Sequence, residues 1–511
     1  MPAIVLTTLN ARWSHAALGL RYLRANLGEL RDDSAIVEYT IARPAEQIVA
    51  DLVARAPRLV GFGVYIWNVA QSTRVLELLK ARAPQIVVVV GGPEVSHEVD
   101  EQRICALADY VVTGWGDVTF ARLARQILIG PRPLMKLHAG TQPPLDAIAL
   151  PYGEFTDTDL KQRHLYVEAS RGCPFKCEFC LSALDKTAWP FPLDGFLREL
   201  DSLWVRGARR FKFVDRTFNL KIDASAAILD FFLDRLAADA NDPPFVHFEL
   251  IPDHLPEKLK ARIARFPAGS LQFEIGIQTF NETVQALISR RQDNARAEAN
   301  LRWLREHTAA HLHVDLIAGL PGEDLESLAR GFDRLLALRP HEIQLGILKR
   351  LRGAPIARHT QAFVLDFDPQ PPYAVRSTRD IDAPTMARIA RAAQAWDRVA
   401  NAGRFPRSLA LLLGAPAHGA GFMRFLAFSD ALAAVAGRPC GLSPESLGVH
   451  LHDWLCAAGH PPAAVADAVR RDYAGSGARG RLAVPGAVGP APTRLRAARV
   501  TLPRQARHLV T

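Results

Sequence analysis

Three thiols fall within eight residues in the stretch Glu168-Ala-Ser-Arg-Gly-Cys-Pro-Phe-Lys-Cys-Glu-Phe-Cys180. Cys173, Cys177 and Cys180 are spaced by four and three, which lets one short loop wrap three corners of a cube. Thiolates are the ligands that iron–sulfur clusters select. An ordinary protein-ligated 4Fe–4S cluster takes four cysteines, so three leave one iron open to chemistry. The alternative is a zinc knuckle, which needs a fourth Cys or His nearby. The next candidate downstream is His247, far along the chain.

Positioning such a loop is the work of the elements around it. Residues 1–128 alternate apolar strands (Ile4–Leu9, Ile36–Ile41, Leu59–Tyr65, Ile86–Gly91, Tyr110–Thr113) with amphipathic helices (Ala16–Leu30, Pro44–Ala56, Asn68–Ala83, a weak one at Val99–Ala108, Val118–Gln126). That pattern predicts a doubly wound parallel sheet, covered on both faces, with its ligand beyond the carboxyl ends of the strands. The loops there carry glycines and aromatics: Trp13 after the first strand, Tyr65 and Trp67 after the third, Gly91, Gly92 and Pro93 after the fourth, Gly114, Trp115 and Gly116 after the fifth. Small residues admit a flat ligand and the rings offer apolar platforms. No Gly-x-Gly-x-x-Gly follows the first strand, which speaks against a nicotinamide cofactor.

Residues 129–162 are proline-rich and lack periodicity, as a linker does. Over 163–348 six strands are expected: His164–Ala169, Arg210–Val214, Phe245–Leu250, Leu271–Ile277, Leu312–Ile317 and Glu342–Leu348, with a helical pattern in each gap. Six such units make a partial barrel, whose site lies at the carboxyl ends of its strands. The cysteine loop follows the first strand. Residues 349–378 read as loop, and within 349–473 helices follow at Thr385–Ala402, Arg404–Leu413, Met423–Ala436 and Ser443–Ala457. The Arg-, Pro- and Gly-rich tail, 474–511, is expected to be poorly ordered.

Cys-x-x-x-Cys-x-x-Cys with an aromatic before the last Cys resembles the signature of radical S-adenosylmethionine (SAM) enzymes. Glu274-Ile-Gly-Ile-Gln-Thr-Phe-Asn281 and Gly319-Leu-Pro-Gly-Glu323 are similar to two further segments of that family. The resemblance implies that Cys173, Cys177 and Cys180 ligate a 4Fe–4S cluster whose open iron chelates SAM, and that reduction then cleaves SAM to a 5′-deoxyadenosyl radical. It implies SAM contacts from Phe179, Asp215, Glu249, Gly276, Gln278, Arg290, Gly319 and Gly322, with Glu323 capping the next helix. Asp215 reads equally as a helix cap, Glu249 as a solvated strand end, and Arg290 and Arg291 as an exposed helix end.

The Gly-Gly-Pro-Glu and Gly-x-Gly-Asp loops resemble the cobalamin-binding domain fused before many radical SAM enzymes. That makes Trp13, Tyr65, Trp67, Gly91, Gly92, Pro93, Gly114 and Gly116 its expected cobalamin contacts. Asp-x-His-x-x-Gly, the motif of domains that ligate cobalt by histidine, is missing; His15 sits at the wrong distance from Gly19. The cobalamin-dependent radical SAM class often lacks it, so His15 and His97 read as polar loop residues. A domain that has lost cobalamin is the alternative. The helical tail resembles the C-terminal domain of one subgroup of that class.

The activity implied is methylation of an unactivated carbon, SAM acting both as methyl donor and radical source. Cobalamin-assisted cyclisation or rearrangement, and a non-catalytic iron–sulfur sensor or scaffold, are the alternatives. A methylthiotransferase of transfer RNA would need a second cluster in the first domain, which holds only Cys105. A flavodoxin- or ferredoxin-type electron donor and a small-molecule or peptide substrate are the implied partners. The net charge of +9 comes from arginines dispersed over Ala/Leu helices without interleaved aromatics, so nucleic acid is not indicated. No apolar run approaches the ~20 residues of a membrane span. With no leader-like start and only 6 cysteines in 511 residues, a reducing cytoplasm is expected.

Overall fold

The computed structural model describes residues 1–185, 187–239, 242–414, 420–436, 441–478, 480–484 and 504–508. Its first unit runs β1 (Ile4–Asn10), α1 (Leu18–Ala25), β2 (Ser34–Thr40), α2 (Ala45–Ala54), β3 (Leu59–Gly63), α3 (Val69–Arg82), β4 (Val87–Gly91), α4 (Arg103–Leu107), β5 (Tyr110–Gly114), α5 (Asp117–Leu128) and β6 (Leu137–Gly140). All strands are parallel, in the order β2-β1-β3-β4-β5-β6. The direction of winding reverses between β1 and β3, the switch point that opens a crevice at the carboxyl ends. Ile4, Leu6 and Val89 pack toward α1 and α5, while Val5, Val60 and Val88 pack toward α2 and α3. Each large side chain so buried is worth roughly 1.5–3 kcal/mol.

Two expectations change here. The helix over Ala16–Leu30 ends at Ala25, and a short turn at Gly28–Leu30 follows. The linker is partly structured: β6 extends the sheet, and α6 (Asp157–Gln162) starts on a capping box between Thr156 and Asp159. Four exposed or half-exposed positions of β6 hid it from an apolar-run criterion.

The second unit begins with β7 (Leu165–Val167) and a hairpin of β8 (Ser170–Gly172) and β9 (Ala188–Pro190), which brackets the cysteine loop. It continues with α7 (Leu193–Val205), β10 (Arg210–Phe213), α8 (Ile222–Ala238), β11 (Phe245–Leu250), α9 (Glu257–Ile263), β12 (Leu271–Gln278), α10 (Glu282–Leu287), α11 (Asn294–His307), β13 (His311–Ala318), α12 (Leu325–Ala337) and β14 (Glu342–Ile347). Six strands, β7, β10, β11, β12, β13 and β14, lie side by side in parallel and form an open sheet. After the antiparallel pair β15 (Asp366–Phe367) and β16 (Val375–Ser377) come α13 (Ala383–Val399), α14 (Pro406–Leu413), α15 (Ala420–Ala436), α16 (Pro444–Ala457), α17 (Pro462–Gly475) and the short α18 (Arg504–His508).

The helical unit protects the open edge of the sheet, which would otherwise present unpaired backbone. Asn401, just past α13, exchanges two hydrogen bonds with the backbone of Ile343 on edge strand β14, at 2.9 and 3.0 Å. Asp333 of α12 accepts from the first N–H groups of Gly421 and Phe422 in α15. Part of the expected disordered tail is ordered: α18 lies back on the sheet, Gln505 bonding to Gln272 at 2.9 Å. Residues 485–503 and 509–511, and Cys440, fall outside the described residues.

A buried network joins the first two units. Arg21 and Arg163 share Glu38 and Asp159 at 2.7–3.0 Å, all four side chains at most 7% exposed.

Candidate functional site

The cysteine loop starts from a constrained hairpin. Gly172 has φ +89°, and a Cβ there would come within 2.4 Å of the Thr187 carbonyl and 2.8 Å of the Trp189 ring. Only glycine lets β8 run this close to β9 before the chain turns to Cys173. Asp215, at the end of β10, holds the same turn. It accepts from the Ala169 N–H (3.0 Å) and Ser170 hydroxyl (2.6 Å), and burial pushes its carboxyl up to about 7 against those bonds. Its oxygens are thus committed to the loop's approach, away from the pocket, and it is not the cap of the next helix, whose N-cap position is Lys221 without a side-chain cap.

Cys173, Cys177 and Cys180 line one cavity of about 270 Å³ at the carboxyl ends of the strands, together with Phe179, Glu249, Gly276, Gln278 and Arg290. Among the described residues no three His, Cys, Asp or Glu side chains gather round a single point. A cluster, whose corners are separate irons, needs thiols spread along a wall. Burial pushes Cys173 up to about 11; it also raises Cys177, with Arg290 acting in the opposite sense. Arg290 Nη1 lies 3.5 Å from Cys177 Sγ and its Nη2 donates to the Gly276 carbonyl, so it serves the cluster loop and β12 rather than an open face.

The rest of this cavity suits a polar ligand. Gln278 has φ +68° at a break in the register between β12 and β13, a strained position of the kind that clusters at binding sites. A Cβ on Gly276 would lie 2.3 Å from the Gln278 amide nitrogen, so the glycine makes room for that side chain. Gln278 Oε1 and Thr217 Oγ1 are buried without a partner and belong to pocket-lining residues. Glu249 pairs with Arg216 at 3.2 Å. Glu274 and Asp315 also line the cavity. Below them, burial disfavours charge on His313, but Asp315 (3.3 Å) and Glu342 (3.2 Å) outweigh it and hold its pKa up at about 10.

The Gly-Leu-Pro-Gly-Glu turn is elsewhere. A Cβ on Gly319 would meet Val375 at 2.5 Å and Met386 at 3.0 Å, and one on Gly322 would meet Leu287 and Phe363. The turn is therefore packed under β16 and α13, outside the cavity lining. Asp324, not Glu323, caps α12, accepting from the Ser327 N–H at 2.7 Å. Glu323 is buried, with the Thr279 hydroxyl donating to it at 2.5 Å.

A second, larger cavity of about 660 Å³ opens at the switch point of the first sheet. Tyr65, Gly91, Gly92, Pro93, Gly114 and Gly116 line it, with Gly19, Gly63, Trp115 and His97. This glycine cradle is space that side chains would fill, the form a large flat ligand requires. Gly92 (φ +119°) sits where a Cβ would be 2.5 Å from the Val64 carbonyl. Trp67 stacks on Tyr65 (centroids 4.4 Å apart) but lies outside the lining, and Trp13 lies over Arg163 instead. Both are half exposed. His15 is turned to Tyr166, its Nδ1 2.5 Å from the hydroxyl.

The far wall of this cavity comes from the second unit: Glu168, Arg171, Gly172, Leu181, Leu184 and Asp185. Arg171, which sequence reasoning missed, bridges Asp117 of α5 (2.9 Å) and Glu168 (2.6 Å) with its guanidinium over Tyr22 and Trp115. Arg216, Thr217, Glu274 and Asp315, which also line the polar cavity, were not assigned to a site either. Single polar residues at strand ends carry no spacing signal.

Residues 4–124 match the family model described as B12 binding domain, and residues 167–335 match the Radical SAM superfamily. The chain carries a radical SAM domain with a B12-binding domain ahead of it. A cobalamin-dependent radical SAM methyltransferase, TokK of Streptomyces tokunonensis, is 24% identical over 356 residues, 60% of this chain and 49% of that one. An uncharacterized methyltransferase of Pyrococcus horikoshii is 27% identical over 250 residues, 42% of this chain and 53% of its own. The chain spans about half or less of the curated relatives it matches. The radical SAM methyltransferase TsrM of Kitasatospora setae, solved with cobalamin and a [4Fe-4S] cluster, superposes with TM-score 0.56 at 18% identity, covering 73% of this chain and 79% of that one. At that identity the match attests the shared fold. The three cofactors that these two domains imply, a 4Fe–4S cluster, SAM and cobalamin, fit the thiol wall, the polar pocket and the glycine cradle respectively.

Proposed function

We propose that this radical SAM protein is an enzyme that modifies an unactivated carbon, by methylation, with cobalamin as second cofactor. The observation that carries the reading is that one segment walls both cavities. Residues from Cys173 to Ala183 line the polar pocket, while Gly172, Leu181, Leu184 and Asp185 line the glycine cradle. Two cofactors placed there would face each other across the cysteine loop.

When bound, the cluster supplies the electron that cleaves SAM, and cobalamin supplies a carrier for the methyl group. The chain's own contribution is positional, since the hard chemistry belongs to the cofactors. Cys173, Cys177 and Cys180 would hold three irons of the cluster. Gln278 and Thr217 would offer their unpaired polar atoms to SAM, with Phe179 and the Arg216–Glu249 pair lining the same cavity. Tyr65, Trp115 and the glycines of the first domain would hold cobalamin and keep water from it. The electron comes from an external low-potential donor, and a reducing cytoplasm suits such a cluster. No helix among the described residues is long and apolar enough to cross a membrane.

The test is anaerobic reconstitution with iron, sulfide and hydroxocobalamin, then reduction in the presence of SAM. The proposal expects 5′-deoxyadenosine and S-adenosylhomocysteine as products, and loss of the brown chromophore in Cys173→Ala. Retention of that chromophore in the variant, or failure to turn over SAM, would refute it.

A further inference from the structure

The ten residues from Arg350 to His359, between β14 and β15, touch the loops of both cavities. At one end Arg350 makes a bidentate pair with Glu98 (2.8 and 3.2 Å). Arg352 reaches Glu94 at 3.2 Å and Glu98 at 2.6 Å, and the Tyr373 hydroxyl donates to Glu94 at 2.7 Å. Glu94 is buried and directly follows Gly92 and Pro93, which line the cradle. Gly353 (φ +81°) lies flat against His97, another wall residue; a Cβ there would be 2.3 Å from the imidazole.

Four to seven residues after Arg352 the same segment holds the cysteine loop by its middle. Glu178 stands between Cys177 and Cys180 and is 2% exposed. Its carbonyl accepts from the Ile356 N–H at 2.8 Å, and its carboxylate takes His359 Nε2 at 2.8 Å and Arg358. From the other side the Ser289 hydroxyl donates to it at 2.5 Å, and its own N–H donates to the Ile288 carbonyl at 3.0 Å. The Glu178 carboxylate is closed to water, so losing a partner is costly, which holds it to these contacts.

We propose that Arg350, Arg352, Arg358 and His359 are positioning residues that tie the Gly92–His97 loop to the cysteine loop through Glu94 and Glu178. Filling one cavity then favours the geometry that the other cofactor needs. Because coupling between two sites is reciprocal, cluster assembly must tighten cobalamin binding by the factor by which cobalamin stabilises the cluster. The inference rests on the two-cofactor reading above.

The experiment titrates hydroxocobalamin, followed by its visible spectrum, into the full chain with the cluster reconstituted and again after iron is removed. The expectation is an affinity about fivefold or more higher with the cluster present, the lower end of ordinary site–site coupling. In Arg352→Ala, and separately in Glu178→Gln at the other end, the two affinities converge. Arg352→Lys restores part of the difference, and Arg376→Ala, which removes an exposed pair with Asp366 nearby, leaves it whole. In the wild type, cobalamin changes the electron paramagnetic resonance spectrum of the reduced cluster; in Arg352→Ala it does not. Equal affinities in the wild type, or coupling that survives in both end variants, overturn the tie while leaving the two sites standing. If neither cofactor binds, the two-site reading falls and the tie with it.

Discussion

Arg290 stands 3.5 Å from the sulfur of Cys177 and at the same time donates to the carbonyl of Gly276. One guanidinium therefore fixes the cluster loop to the strand that carries Gln278. Its charge also opposes the rise in thiol pKa that burial imposes on Cys177. A cation beside a cluster favours the reduced state, which carries one more negative charge. Arg290→Gln is expected to move the cluster midpoint potential to a more negative value. Iron retention against a chelator should weaken about tenfold, the scale of one charge-assisted hydrogen bond. Redox titration followed by paramagnetic resonance checks the first, and an iron-release curve the second.

Gly92 sets the depth of the cradle. Its φ is +119°, and a Cβ at this position would stand 2.5 Å from the Val64 carbonyl, which leaves no place for a side chain. Strain of about 1–3 kcal/mol from any substitution falls on the loop that carries Pro93 and His97. Gly92→Ala should bind hydroxocobalamin about tenfold or more weakly while the cluster still reconstitutes. Parallel visible titration and iron analysis report both.

The Arg21–Glu38–Arg163–Asp159 network lies between the first two units and is closed to water. Arg163→Ala leaves two buried carboxylates with one cation. Removing one partner of a buried pair typically costs about 3–5 kcal/mol. Thermal unfolding followed by circular dichroism should show a clear loss. Arg125→Ala, which breaks an exposed pair with Glu29, should change little.

Glu323 gives stability a dependence on pH. Burial raises its carboxyl to about 7, against hydrogen bonds from Thr279 and Ser327. The folded state thus holds this proton more tightly than the unfolded chain, where the carboxyl keeps its ordinary value of 4.5. The contribution is fully present below that value and is lost as pH rises from about 4.5 to about 7. At most it amounts to roughly 3 kcal/mol, from about 1.4 kcal/mol per pKa unit. Chemical denaturation of Glu323→Gln across this range should lack that falling leg and gain on the wild type above about pH 7.

The cysteine loop and its strand were legible because their signal is local: three thiols at fixed spacing, directly after an apolar run. The glycine-bearing loops of the first domain were legible for the same reason, since each follows a recognisable strand. What escaped was decided by distant contacts. Asp215 faces the hairpin because Ala169 and Ser170 come to meet it, which no spacing near Asp215 announces. Gly319 and Gly322 match a family segment, yet β16, α13 and Phe363 press on them from more than forty residues away. Trp13 and Trp67 looked like platforms because large rings in a binding loop suggest one; Arg163 and Tyr65 claimed them instead. Arg171 was invisible among many arginines, although it joins both domains.

The cradle borrows its far wall from Gly172, Leu181 and Leu184, and this bears on how the protein matures. A chain leaves the ribosome from its N-terminus, and domains fold as they emerge. Until the second unit has been made through β14 (Glu342–Ile347) and has folded, the first domain exists with its crevice open on one side. Cofactor entry is easiest in that interval. Supplying cobalamin during synthesis should therefore yield more loaded protein than adding it after the second domain has closed the wall.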